Sequence, residues 1–163
     1  MSARVRRAAG LVIFRRKDLS SQPEWLLLQT SYGAHHWTPP KGHLDPGEVS
    51  WTLTHKTVIS IYFAKDDITA AVRETEEEAG LSRDQLNIFN DVRAELNYPA
   101  FGKPKSVVYW LTKLLNHEDT VRLSDEHQDF KWLSVSEAKE LSGFEDMSRV
   151  FQDFHSEVIS KNL

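Results

Sequence analysis

Cysteine is absent from the 163 residues, which excludes disulfides and thiolate metal sites and suits a reducing compartment. No apolar run approaches the length of a membrane span, and no signal-peptide pattern is visible. Arg4, Arg6 and Arg7 make the start basic, but Ala8 opens a strand-like stretch too soon for a transit peptide. The expected compartment is therefore the cytosol, with the nucleus as an alternative, and no membrane partner is expected. Charge excess is also scarce. Twenty Lys and Arg against 24 Asp and Glu leave a net charge of −4, which makes no electrostatic case for a stable nucleic-acid partner. Internal repeats are lacking too. What is present, 40% hydrophobic and 27% charged residues, is the composition of a soluble globular protein with a core of one domain's size, expected to be a monomer.

Apolar, β-branched residues from Ala8 to Phe14 predict a buried strand, and Trp25 to Gln29 a second. Pro39 and Pro40 hold the stretch from His35 to Gly42 extended. Leu86 to Tyr98 and Ser106 to Leu115 bracket a Gly/Pro loop, Pro99 to Lys105, and predict a hairpin. Asp129 to Leu133 is a short strand. Ser134 or Ser136 can cap a helix through Leu141, and Asp146 to Ile159 sets Met147, Val150, Phe151, Phe154 and Val158 on one helical face. Strands interleaved with helices predict an α/β protein in which a mixed central sheet is covered by helices on both faces.

The chemistry concentrates between Asp66 and Leu81. Ile68, Ala71, Val72, Thr75 and Ala79 recur at helical spacing, so one arc should face a core. Asp66 or Asp67 is placed to cap this helix and Gly80 to stop it. With Glu74 at 0°, Glu77 and Glu78 fall about 60° to one side and about 40° to the other at 100° per residue. Like charges so placed cost a few tenths of a kcal/mol per pair. A solvated acidic face accounts for them as well as a hard divalent cation does, since Mg²⁺ joins carboxylates to substrate phosphates.

Gly42-His43-Leu44-Asp45-Pro46-Gly47-Glu48, read with Arg73-Glu74-Thr75-Glu76-Glu77-Glu78-Ala79-Gly80-Leu81, resembles the Nudix box. Thr75 stands in a slot the family fills with an apolar residue. Around the box, His36 to His43, Glu95-Leu96-Asn97-Tyr98, Lys103-Pro104-Lys105 leading to Tyr109-Trp110-Leu111, Leu123 to Gln128, and Trp132 resemble the asymmetrically cleaving diadenosine tetraphosphate hydrolases of animal and archaeal type. The resemblance implies a single Nudix domain, an α/β/α sandwich. It also implies Mg²⁺, or Mn²⁺, held by Glu74, Glu77, Glu78, Glu126 and the carbonyl of Gly42, and a structural pairing of Arg73 with Glu48. Glu74 is the expected general base and Glu126 the alternative. Glu126 read alone is an exposed loop acid.

For the dinucleoside polyphosphate substrate, Lys41, Lys103 and Lys105 stand in loops expected to face one cleft, although any single lysine could be a solvated charge. His36 and His43 can donate hydrogen bonds. Tyr98 and Phe144 are candidates to sandwich an adenine, although Phe144 could equally be core packing between helices. Trp37, Trp110 and Trp132 are assigned to packing. The implied reaction is attack of water on the phosphorus four positions from the bound adenosine, giving ATP and AMP. The alternatives are another nucleoside polyphosphate, a nucleotide sugar or capped RNA as substrate, or a nucleotide-binding module without activity.

The spacing departs from the family. Twenty-four residues separate Glu48 from Arg73 where the pattern has seven, which makes Val49 to Lys65 an insertion of 17 residues. It holds Trp51, Val58, Ile59, Ile61, Tyr62 and Phe63 but no acid, Gly or Pro, and Thr57 to Ala64 reads as an aggregation-prone strand. It is expected to be a lid or partner-binding loop or, preferred here, translated intron: 51 in-frame nucleotides whose Val-Ser start and Lys end can encode splice junctions.

Overall fold

A computed structural model describes residues 6–44 and 56–163, with backbone alone for 56–66, and holds seven strands and three α-helices among them, two of the strands lying in or at the end of the stretch read as an extended loop from His35 to Gly42. The strands are β1 (Arg6–Arg15), β2 (Glu24–Thr30), β3 (Trp37–Thr38), β4 (Lys41–His43), β5 (Leu86–Ala100), β6 (Lys103–Leu114) and β7 (His127–Leu133). The helices are α1 (Lys56–Ala79), α2 (Val135–Ser142) and α3 (Glu145–Ser160). The strands form one sheet with a main path β3-β2-β1-β6-β5, to which β4 adds on β1 and β7 on β2. The β1–β6 pair is parallel and the others antiparallel, so the sheet is mixed as expected.

Period-2 alternation divides β1 between two cores. Ala9, Leu11 and Ile13 join Leu26, Leu28, Ala70, Ala71 and Ala79 on the α1 side. Ala8, Val12 and Phe14 join Trp25, Leu27, Val150, Phe151 and Phe154 on the side of α2 and α3. All five apolar residues anticipated on the α3 face are buried. Ser134 caps α2 through a reciprocal box with Glu137, which satisfies backbone donors at both positions. Trp110 is buried, while Trp37 and Trp132 are half-buried beneath Lys131 and Arg15.

Two expectations are corrected. The segment from Pro99 to Lys105 is mostly strand: only Phe101 and Gly102, both at positive φ, turn the hairpin, and the flanking residues pair in register. Helix α1 also begins a decade earlier than anticipated. Residues 56–65, read as strand or loop, are helical, and neither Asp66 nor Asp67 is a cap. No glycine or proline interrupts this stretch, and adding residues to an existing helix avoids the unfavourable nucleation step. Local strand preference yields to that. Asp67 instead lies buried inside the helix and pairs with Arg7 of β1. Residues 49–55 of the insertion and Glu48 lie outside the described residues.

Candidate active site

The site is built around three residues of β4. Across an antiparallel pair, opposed residues share a face. Lys41 opposes Gly10 and His43 opposes Ala8, on the α2/α3 side, while Gly42 opposes Ala9, on the α1 side. A Cβ on Gly42 would lie 1.9 Å from Glu74 Cδ, so the missing side chain is what lets the Glu74 carboxylate rest against this strand. The Lys41 amide donates to Glu78 Oε2 at 3.0 Å.

On α1, Glu78 is buried, Glu74 half-buried and Glu77 exposed. Burial, reinforced by the nearby charges of Glu74 and Glu126, pushes the Glu78 carboxyl up to about 8, against the opposing effect of Lys41. Burial also raises the Glu74 carboxyl, with Glu77 and Glu126 adding to it and Arg73 resisting. Arg73 Nη1 donates to Glu74 at 3.0 Å and Glu77 at 3.4 Å, and Nη2 to the His43 carbonyl at 3.1 Å, tying helix to strand. Buried Thr75, in the otherwise apolar slot, returns its hydroxyl to the Ala71 carbonyl at 2.8 Å, which is how a polar group is tolerated there.

Gly80 ends the helix at φ +67°, and the loop bearing Glu126 docks on that end. The Arg122 amide donates to the Ala79 carbonyl at 2.8 Å. Ser31 ties the loop from the other side: its amide donates to the Glu126 carbonyl at 2.8 Å and its hydroxyl to the Asp125 carbonyl at 2.7 Å. Glu126 is exposed, as expected of a loop acid, yet close enough to act on Glu74 and Glu78.

On the opposite side of β4 the cations gather. Burial and the charges of Lys41 and Arg6 pull the Lys105 ammonium down to about 8. Burial, then Lys105, Lys41 and Arg6, lowers His43 as well. Lys105 Nζ stands 5.9 Å from the ring centre of half-exposed Tyr98. Lys103 sits exposed beside the hairpin turn, farther out than the other two lysines. Phe144, at the start of α3, is 55% exposed, which decides against core packing, and its ring lies 5.6 Å from that of His36. A groove of about 380 Å³ lined by Leu96, Asn97, Asp146 and Arg149 adjoins Tyr98 and Phe144 in the chain.

Among the described residues no three acidic or imidazole side chains converge on one point at ligand distance. The donor set nonetheless fits a hard divalent cation. It is oxygen throughout, burial and then the neighbouring carboxylates raise the Glu78 carboxyl to about 8, a cost that a bound cation would offset, and the missing side chain of Gly42 makes room for Glu74. Three neighbours escaped the sequence reading. Buried His127 lies 4.0 Å from Glu78, Tyr32 lies within electrostatic reach of Glu78 and Glu126, and Arg6 acts on Lys105. His127 follows Glu126 in the chain, but only the packing of β7 against α1 shows that it lies near Glu78.

The family model for the NUDIX domain matches residues 63–154. An asymmetrical bis(5'-nucleosyl)-tetraphosphatase from Sus scrofa is 46% identical over 153 residues, covering 91% of this chain and 92% of its own length. One from Caenorhabditis elegans is 46% identical over 148 residues, covering 91% and 93%. A C. elegans Ap4A hydrolase binary complex superposes with a TM-score of 0.80 at 44% identity, over 96% of this chain and 99% of that one. A Nudix hydrolase from M. smegmatis shares the fold at a TM-score of 0.65 and 16% identity, over 94% of this chain and 85% of its own.

Proposed function

The chain belongs to the Nudix family, and from that premise we propose that it is a hydrolase that cleaves diadenosine tetraphosphate asymmetrically, to ATP and AMP. One observation carries the reading. Strand β4 joins two opposed charge clusters, carboxylates on its α1 side and cations on its α2/α3 side, as a phosphate chain held between a divalent cation and fixed positive charge requires.

Glu74, Glu77, Glu78, Glu126 and the Gly42 carbonyl would hold the cation, Mg²⁺ with Mn²⁺ as the alternative. When bound, it supplies Lewis-acid neutralisation of the charge that builds on the phosphate oxygens. Lys41, Lys105 and His43, with Lys103 at the rim, bind the chain. Tyr98 and Phe144 hold the adenine. Arg73, with Glu48 as a further partner, keeps α1 in register with β4.

Glu74 accepts the proton of the attacking water. The water oxygen bonds to the phosphorus farthest from the held adenosine, and the bond from that phosphorus to the bridging oxygen breaks. The electron pair leaves with ATP, so AMP carries the new oxygen. Turnover of diadenosine tetraphosphate with Mg²⁺ in ¹⁸O-labelled water, with products resolved by ion exchange, tests this. Label on AMP and none on ATP is expected. Two molecules of ADP, or no turnover, would refute it.

A further inference from the structure

Two adjacent arginines open β1, and strand alternation sends them to opposite faces. Arg7 goes to the α1 side, where it pairs with buried Asp67. Arg6 shares the parity of Ala8 and Val12, which belong to the α2/α3 side. Its register partner on β6 is Lys105, and Lys105 stands opposite Tyr98 on β5. Arg6, Lys105 and Tyr98 therefore form one row across three strands, with neighbouring strands about 4.8 Å apart. His43 and Lys41 project from β4 on the same face. Arg6 is exposed and, among the described residues, has no acidic partner. Its charge bears on Lys105 and on His43. Like charges gathered on one face repel, and an anion bound across the row and the β4 cations would relieve that repulsion.

We propose that Arg6 is a polyphosphate-binding residue, whose guanidinium engages the non-bridging oxygens of the phosphate chain beside Lys105 and tilts the site towards ligands with more phosphates. This rests on the reading of the cleft as a polyphosphate site. A guanidinium suits the position because it keeps its charge where a crowded ammonium loses it, and its planar fork can hold two phosphate oxygens. Coulombic attraction grows with the ligand's charge, so the contribution of Arg6 rises with chain length.

The test is calorimetric titration of the metal-free full chain at pH 7 with inorganic tripolyphosphate and with orthophosphate, for the parent, Arg6→Gln, Arg6→Lys and Lys105→Met. Arg6→Gln is expected to weaken tripolyphosphate binding about fivefold, the scale of one charge-assisted contact at an exposed site, and orthophosphate binding less than twofold. Arg6→Lys should recover only part of the loss, since it restores a charge but not the planar fork, and the melting temperatures should coincide, since an exposed side chain with no acidic partner among the described residues holds nothing together. If Lys105→Met weakens tripolyphosphate while Arg6→Gln does not, or if Arg6→Gln weakens both anions equally, the role of Arg6 is overturned and the cleft stands. If neither substitution matters, the polyphosphate reading of the cleft falls with it.

Discussion

Gly42→Ala separates the geometry of the carboxylate cluster from the stability of the fold. The added Cβ would sit 1.9 Å from Glu74 Cδ and 2.2 Å from each carboxylate oxygen. Ordinary carbon contacts begin near 3.5 Å, so the carboxyl must retreat by about 1.6 Å. It is the free end of a long side chain, and moving it off its preferred rotamer costs about 0.5–1.5 kcal/mol. Replacing glycine in extended backbone returns about 0.4–1 kcal/mol through the unfolded state. The two nearly cancel, and at about 2–4 °C per kcal/mol for a chain of this size the melting temperature should fall by only a few degrees. Catalysis should not be spared. A misplacement on the order of 1 Å costs about 10²-fold, or about 2.7 kcal/mol of barrier. Lys41, His43 and Lys105 face the other way and are untouched, so KM should stay within about threefold while kcat falls. Steady-state kinetics on diadenosine tetraphosphate, paired with thermal melts, reads both. A folded variant that keeps kcat within about threefold of the parent would remove Glu74 from the chemistry.

Glu78→Gln should keep the fold, because the buried carboxyl without a cation is already neutral near pH 7 and glutamine keeps its shape, and should cut turnover by about 10²-fold or more, because the amide cannot give up a proton to a bound cation as the carboxyl would; full activity would reject the ligand assignment. With Lys105 titrating at about 8, it is charged at pH 7 and loses its proton as pH rises through 8, so metal-free tripolyphosphate affinity should fall between pH 7 and 9, and a Lys105→Met variant that still showed this fall would assign it elsewhere. Phe144→Ala should weaken adenosine-containing ligands by about 1–3 kcal/mol and leave tripolyphosphate unchanged; equal losses for both would place its role outside base stacking. Deleting Val49 to Lys65 should leave a folded, active and more soluble protein, because Ile68, Ala70, Ala71, Val72 and Ala79, which pack α1 in the core, all lie beyond the deleted segment; a folded but inactive product would make the segment a working part of the site.

Where patterning is strong, the sequence reading and the structure agree. The 3.6-residue repeat of α3 and the capping box of α2 need no tertiary information, and both elements appear within a residue or so of expectation. The start of α1 failed for a physical reason. Asp66 and Asp67 look like caps because short acids suit that position, but whether a helix stops there depends on what precedes it, and Asp67 has a long-range partner in Arg7. The hairpin turn failed in the same way. Pro99 and Pro104 suggest a loop, yet proline is admissible in an edge pairing, and they stand opposite each other in the β5–β6 ladder.

The chemistry is legible to the extent that it is local. Glu74, Glu77 and Glu78 share a helix, so their spacing brings them together. Glu126 can be placed beside them only through its ties to Ser31 and to the end of α1, contacts made across the fold. The tripeptide Lys41-Gly42-His43 shows why a strand joins the two halves of the site better than a helix or loop could. Its period of two sends neighbours to opposite faces, so Lys41 and His43 add charge to the cationic row while Gly42, between them, clears space for Glu74. The Lys41 amide, lying in the plane of the sheet, is left to reach Glu78. Charges that would otherwise pair and cancel are thus held apart by one layer of backbone. A one-residue slip of β4 against β1 would put glycine among the cations and lysine against Glu74, pairing the charges the reaction needs apart.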